Sequence, residues 1–119
     1  MIPSGVEVFV AVAPIDLRWG FDRLAGVAEE QVGRRARSGA LFVFFGKRKC
    51  AMKILFFDGT GMCLFYKRLD SRNFRVPEAL LPGATSVELS ERELDDLLDG
   101  IDVELEAAPV SERVRKRAH

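Results

Sequence analysis

The apolar positions change period several times along the chain, and each change marks an element. Residues 6–12 are apolar apart from Glu7 and rich in β-branched side chains, and Pro14 closes the run, so a first strand is predicted there. The period then shifts to three and four. Leu17, Phe21, Leu24, Val27 or Ala28, and Val32 share one face of a helix predicted over residues 16–32. Asp16 stands in the N-cap position and Gly33 in that of the C-terminal stop. Gly20 and Gly26 fall inside this span, where glycine costs up to ~1 kcal/mol against alanine. Close packing of the helix backbone is the expected compensation.

The strongest signal follows. Residues 41–45, 51–57 and 62–69 are three strand-like runs, separated by turns rich in glycine and charge. They read as an antiparallel meander, with Asp58-Gly59 as a turn pair because glycine reaches positive φ without steric cost. Residues 74–77 and 86–89 suggest two short extended pieces around a turn at 80–83. Ser90 and Glu93 have capping-box spacing, and Leu94, Leu97 and Leu98 follow at helical steps, so a short helix is predicted over 90–99. Ile101 to Leu105 alternates apolar with acidic and suggests a last strand or extended tail. The fold class read from this order is α+β, an antiparallel meander sheet packed by one main helix, with a short C-terminal helix. Residues 1–106 form the single domain, and 107–119 are read as a basic, disordered tail.

Composition adds bounds. Of 119 residues, 48% are hydrophobic, enough for a packed core. The start, Met1-Ile2-Pro3-Ser4-Gly5, lacks a basic segment before an apolar run, and no run reaches the ~20 residues of a membrane span. A cytoplasmic protein is predicted. Cys50 and Cys63 lack CxxC spacing and read as free, half-buried thiols on strands. The single histidine is His119, so neither a zinc site nor a histidine-dependent nucleophile is expected.

The net charge of zero hides strong segregation. Arg34, Arg35, Arg37, Lys47, Arg48, Lys49 and Lys53 follow one another without an intervening acid. Lys67, Arg68, Arg72 and Arg75 then accompany Asp70 alone. From Glu78 to Glu106 the sign reverses, with Arg92 the single base. Such blocks create local fields that the average conceals.

The order of motifs carries a resemblance. Asp16-Leu17-Arg18-Trp19-Gly20-Phe21-Asp22-Arg23-Leu24 precedes Ser38-Gly39-Ala40-Leu41-Phe42-Val43-Phe44. Lys53-Ile54-Leu55-Phe56-Phe57-Asp58-Gly59-Thr60-Gly61-Met62-Cys63-Leu64 and Lys67-Arg68-Leu69-Asp70 come next. Phe74 and Pro77 lead on to Leu97-Leu98-Asp99-Gly100-Ile101-Asp102. Over about residues 5–102 the chain resembles the TnpB-type accessory proteins, the small second open reading frame products, of bacterial insertion sequence family 66. It departs from them at Arg23, where a glycine is usual, at Phe56-Phe57, near which tryptophans are usual, and at Val76, where a tryptophan is usual. The resemblance implies a role in transposition beside a larger transposase. It carries over no catalytic residues.

The residues themselves suggest two binding surfaces. Lys47, Arg48, Lys49, Lys53, Lys67, Arg68, Arg72 and Arg75 cluster around the meander and could neutralise phosphates. Phe65, Tyr66 and Phe74 lie among them as candidate stacking groups. Alternatively these charges are a solvated face that guards against edge-to-edge aggregation. Glu91, Asp95, Asp96 and Asp99 of the short helix could dock a basic partner such as the transposase, or a second copy, or fold back over the basic meander. Asp16, Asp22 and Asp58 form the weakest candidate, a metal-dependent nuclease centre. Spacing opposes it, since Asp16 and Asp22 fall on nearly opposite helix faces, and Asp22 is expected to pair with Arg18. The leading expectation is a non-catalytic transposition accessory without a cofactor or metal, binding DNA, the transposase or both. A pure protein-interaction or oligomerisation module is the alternative.

Overall fold

A computed structural model describes residues 5–77 and 82–100. Five strands and two helices follow in chain order: β1 (Val8–Ala11), α1 (Phe21–Gln31), β2 (Leu41–Phe45), β3 (Ala51–Phe57), β4 (Met62–Arg68), β5 (Ser86–Leu89) and α2 (Glu91–Leu98). The strands form one sheet in the order β4-β3-β2-β1-β5.

The α+β class holds, but the sheet is mixed rather than antiparallel throughout. β2, β3 and β4 are consecutive antiparallel neighbours, and β5 runs antiparallel to β1. β1 and β2 are parallel, pairing Val8 with Leu41 and Val10 with Val43. The cause is the connection. A helix between two neighbouring strands carries the chain back to the end where the first strand began, so both strands run the same way.

Helix α1 is also shorter than its apolar period suggested. Asp16 does not cap it; its carboxylate accepts from the Arg18 main-chain N–H at 2.9 Å and closes a separate turn. Gly20, in an extended conformation, is the N-cap. Leu17 therefore leaves the helix face and lies over Gly46, where a Cβ would sit 2.7 Å from Leu17 Cδ1. Any larger residue there would push the Leu17 side chain aside. Phe21, expected inward, is 47% exposed. Arg18 pairs with Asp16 rather than Asp22, through Nη2 to Oδ2 at 2.8 Å.

The sheet is covered on both faces. On one, Phe9, Phe42, Phe44 and Leu55 pack with Leu24 and Ala28 of α1. On the other, Val10, Val43, Phe45, Met52 and Ile54 pack with Leu94 and Leu97 of α2. Every residue of β2 is buried, as befits a central strand with two covered faces. The predicted helix at 90–99 stands, and so does its capping box. Ser90 accepts from the Glu93 main chain at 3.1 Å, and Glu93 accepts from Ser90 N–H at 2.7 Å. The extended piece at 74–77 is not a strand; Phe74 instead turns its ring against Phe45, with centroids 5.7 Å apart. The expectations for 101–105 and 107–119 lie outside the described residues.

Among the described residues Gly26 has no compensating contact. It is exposed within α1, and a Cβ there would meet nothing within 4 Å. Gly26→Ala is accordingly expected to stabilise the fold by up to ~1 kcal/mol, through helix propensity and a less flexible unfolded chain. Thermal denaturation checks this, with a rise of about 4–8 °C per kcal/mol for a domain near this size.

Candidate nucleic-acid interface

The chain turns from β2 into β3 through Gly46-Lys47-Arg48-Lys49-Cys50, at the end of the sheet where β4 also finishes. Two adjoining grooves open there. One, of about 240 Å³, runs between Ile15, Asp16 and Leu17, the β2–β3 turn and Arg68. The other, of about 430 Å³, is bordered by Arg68 and the following segment to Asn73, including Arg72. Cys50 and Arg68 border both. Lys47, Arg48, Lys49, Arg68 and Arg72 thus converge from three segments onto one end. Arg75 is exposed just beyond Phe74, whose main-chain N–H donates to the Lys49 carbonyl at 2.7 Å.

Among the described residues, two carboxylates border the grooves of this cationic end, Asp16 and Asp70. Asp70 is exposed. Asp16 is already engaged, because hydrogen bonds from the Arg18 guanidinium and main chain hold its pKa down at about 2. The balance of the grooves is therefore positive, and the exposed cations suit phosphate oxygens.

The remaining two cations of the predicted surface point elsewhere. Lys53 lies on the α1 face and donates to the Trp19 carbonyl at 2.9 Å. Lys67 lies on the α2 face and donates to the Leu98 carbonyl at 2.6 Å. Arg72 adds a bond to the Asp99 carbonyl at 3.2 Å. Helix α2 has no basic residue in its own last turn, so Lys67 and Arg72 supply charge at its negative end from outside. Basic segments and acidic helix do meet, at the carbonyls that end α2. Of the candidate stacking groups, Phe74 is buried and Phe65 packs against the core, while Tyr66 remains 54% exposed.

Lys49 has φ 60°, a left-handed conformation that side chains rarely adopt. Its N–H donates to the Gly46 carbonyl at 3.2 Å, so the turn holds it there. Lys49→Gly is expected to stabilise the protein by about 1 kcal/mol while weakening any anion binding at this turn. Chemical denaturation beside a binding titration separates the two effects.

The acidic residues fall into two groups. Glu91, Asp95 and Asp99 recur every four positions and form a stripe on α2 away from Leu94 and Leu97. Asp95 and Asp99 are exposed, Asp96 is partly so, and Glu91 accepts from the Gly5 main chain at 2.6 Å. Asp58 lies at the opposite end of the sheet from Asp16, in the β3–β4 turn. It accepts from Thr60 N–H and Oγ1 and from Gly61 N–H, and these bonds hold its pKa at about 2. Its ordinary value is 3.8. The stabilisation from this turn is thus full above 3.8 and fades as pH falls through about 2. An NMR titration of the Asp58 carboxyl checks that midpoint. No group of three or more potential metal ligands occurs among the described residues.

Both thiols are free and half-buried; Cys63 lies on β4, while Cys50 sits in the turn ahead of β3. Burial and then the Asp58 carboxylate push the Cys63 thiol up, which disfavours its reactive thiolate. Sequence reading missed the pairing of cations with rings: Arg23 over Trp19 at 4.5 Å, Arg34 over Phe9 at 5.2 Å and Arg37 over Phe57 at 5.7 Å. Only Arg23–Trp19 had a local signal, its four-residue spacing on the way into α1.

Fold and surface together define a small α+β domain with a cationic sheet end and an acidic helix. Residues 6–108 match the family described as IS66 Orf2 like protein. The chain belongs to that family. It is 39% identical over 104 residues to uncharacterized protein y4hO of Sinorhizobium fredii (strain NBRC 101917 / NGR234), covering 86% of this chain and 88% of that one. It is 32% identical over 98 residues to uncharacterized protein y4jC of the same strain, covering 82% and 81%. No solved structure matches significantly. No helix among the described residues is long and apolar enough to cross a membrane.

Proposed function

We propose that the protein is a non-catalytic accessory of insertion-sequence transposition that grips a nucleic-acid backbone with the cationic end of its sheet. Family membership supports the transposition setting. The observation that carries the molecular part is the convergence of Lys47, Arg48, Lys49, Arg68 and Arg72 around two joined grooves. Lys53 and Lys67 line neither groove and, engaged with main-chain carbonyls, belong to the scaffold, whereas Arg72 borders the larger groove while also donating to the Asp99 carbonyl. Contacts of this kind position a protein on DNA and carry little sequence information. The test is binding by the purified protein to element ends and to random DNA at two salt concentrations. Binding to both, weakening steeply with salt, supports the reading; no binding at low salt ends it.

The stripe of Glu91, Asp95 and Asp99 favours a second reading, docking of a basic partner such as the transposase of the same element. Charge reversal at Asp95 and Asp96 then abolishes co-purification with the transposase while leaving DNA binding intact.

A further inference from the structure

The two edges of the sheet differ. β5, at one edge, has four residues; β4, at the other, has seven and contains neither proline nor glycine. Long edges are templates for another strand, and the charges that could blunt β4, Lys67 and Arg68, are confined to its last two positions. Among the described residues nothing pairs with the outer side of β4.

Its hydrogen-bonding phase follows from the ladder with β3. At one end the Leu69 N–H donates to the Cys50 carbonyl at 2.9 Å, and at the other the Asp58 N–H donates to the Gly61 carbonyl at 3.1 Å. Bonded and non-bonded pairs alternate in an antiparallel ladder. Cys63, Phe65 and Lys67 therefore bond to Phe56, Ile54 and Met52. The main-chain groups of Met62, Leu64, Tyr66 and Arg68 face outward.

From this phase we infer that β4 pairs antiparallel with β4 of a second copy, about a two-fold axis at Phe65, to make a continuous ten-stranded sheet. That register sets Leu64 opposite the partner copy's Tyr66, and Met62 opposite its Arg68, as bonded pairs. It uses all seven residues. Charge selects the same arrangement. Lys67 and Arg68 are the charged residues of β4, and the two-fold places them opposite Cys63 and Met62 of the other copy. A parallel, in-register pair would put each cation beside its own copy, which is unfavourable. Tyr66, 54% exposed, loses much of that exposure against Leu64 of the second copy. Phe65 meets its own copy on the α2 face, at a non-bonded pair with Cα atoms about 4.5 Å apart. That distance lies within reach of a disulfide.

Sedimentation of the full chain is expected to give twice the chain mass at micromolar concentration. Leu64→Pro removes an outward N–H and no bond to β3, so it weakens association at least tenfold with an unchanged circular dichroism spectrum. Independently, Phe65→Cys in a Cys50→Ser/Cys63→Ser background cross-links quantitatively on oxidation, whereas Tyr66→Cys in that background does not. A chain that stays monomeric at all concentrations overturns the inference, whether another protein or residues 101–119 then hold the edge. So does cross-linking at 66 and not 65, or a dimer indifferent to both edge variants.

Discussion

Replacing Lys47, Arg48 and Lys49 together by alanine is expected to weaken DNA binding about 100-fold, equally for every sequence tested. The magnitude follows from three lost contacts of about 1 kcal/mol each, the usual net worth of a hydrogen bond in water. The stronger signature is the salt dependence. Each phosphate contact releases about 0.9 counterions on duplex and about 0.7 on a single strand, so the slope of log affinity against log salt falls by between about 2 and 3. The fold should survive, since Lys47 and Arg48 are exposed and Lys49 acts on the turn through its main chain. A parallel Lys67→Ala variant separates charge from location. It loses the bond to Leu98 and so destabilises α2, yet changes the salt slope little. Equal slopes for the triple variant and the unaltered protein would overturn the assignment of this surface.

That contrast shows what the sequence could reveal about the site. Eight cations around a meander are visible as a block, because charge needs no fold to be counted. Their division is not visible. Alternation puts Lys53 and Lys67 on opposite faces of the sheet, but only tertiary packing brings a carbonyl of residue 19 or residue 98 within reach of each. The fold divides the same way. Strands β2 to β4, β5 and the capped helix α2 rest on local signals of period, turn chemistry and capping. The parallel pairing of β1 with β2 is a property of the connection between them. The early start assigned to α1 came from treating Leu17 as a helix-face residue, when its packing partner, Gly46, lies 29 positions on. Asp16 has the residue type of an N-cap, but it caps the turn one step earlier.

Phe45→Ala is expected to cost about 3–5 kcal/mol, the usual range for removing a buried ring. Against a stability of about 5–15 kcal/mol for an ordinary domain, that is about a fifth of the total or more. Phe42→Ala should cost a similar amount, for Phe42 and Phe45 are both buried on β2. Their consequences for binding differ. Phe42 faces α1 and stacks on Phe9, with ring centroids 6.2 Å apart, and lines neither cationic groove. Phe45 faces the other way and meets Phe74 edge-on. Phe74 in turn bonds through its main chain to Lys49, so one ring contact fastens the 69–75 segment, with Arg72 and Arg75, to the β2–β3 turn. The main-chain carbonyl of Phe45 also accepts from Ile15 N–H at 2.8 Å, which places the opposite wall of the smaller groove. Removing the Phe45 ring therefore loosens the surface as well as the core. At a temperature where both variants remain folded, Phe45→Ala should bind DNA more weakly than Phe42→Ala, which should match the unaltered protein. Urea denaturation gives the two stabilities, and the same binding titration gives the affinities. Equal affinities at equal loss of stability would mean that the cationic end does not depend on how Phe74 is seated.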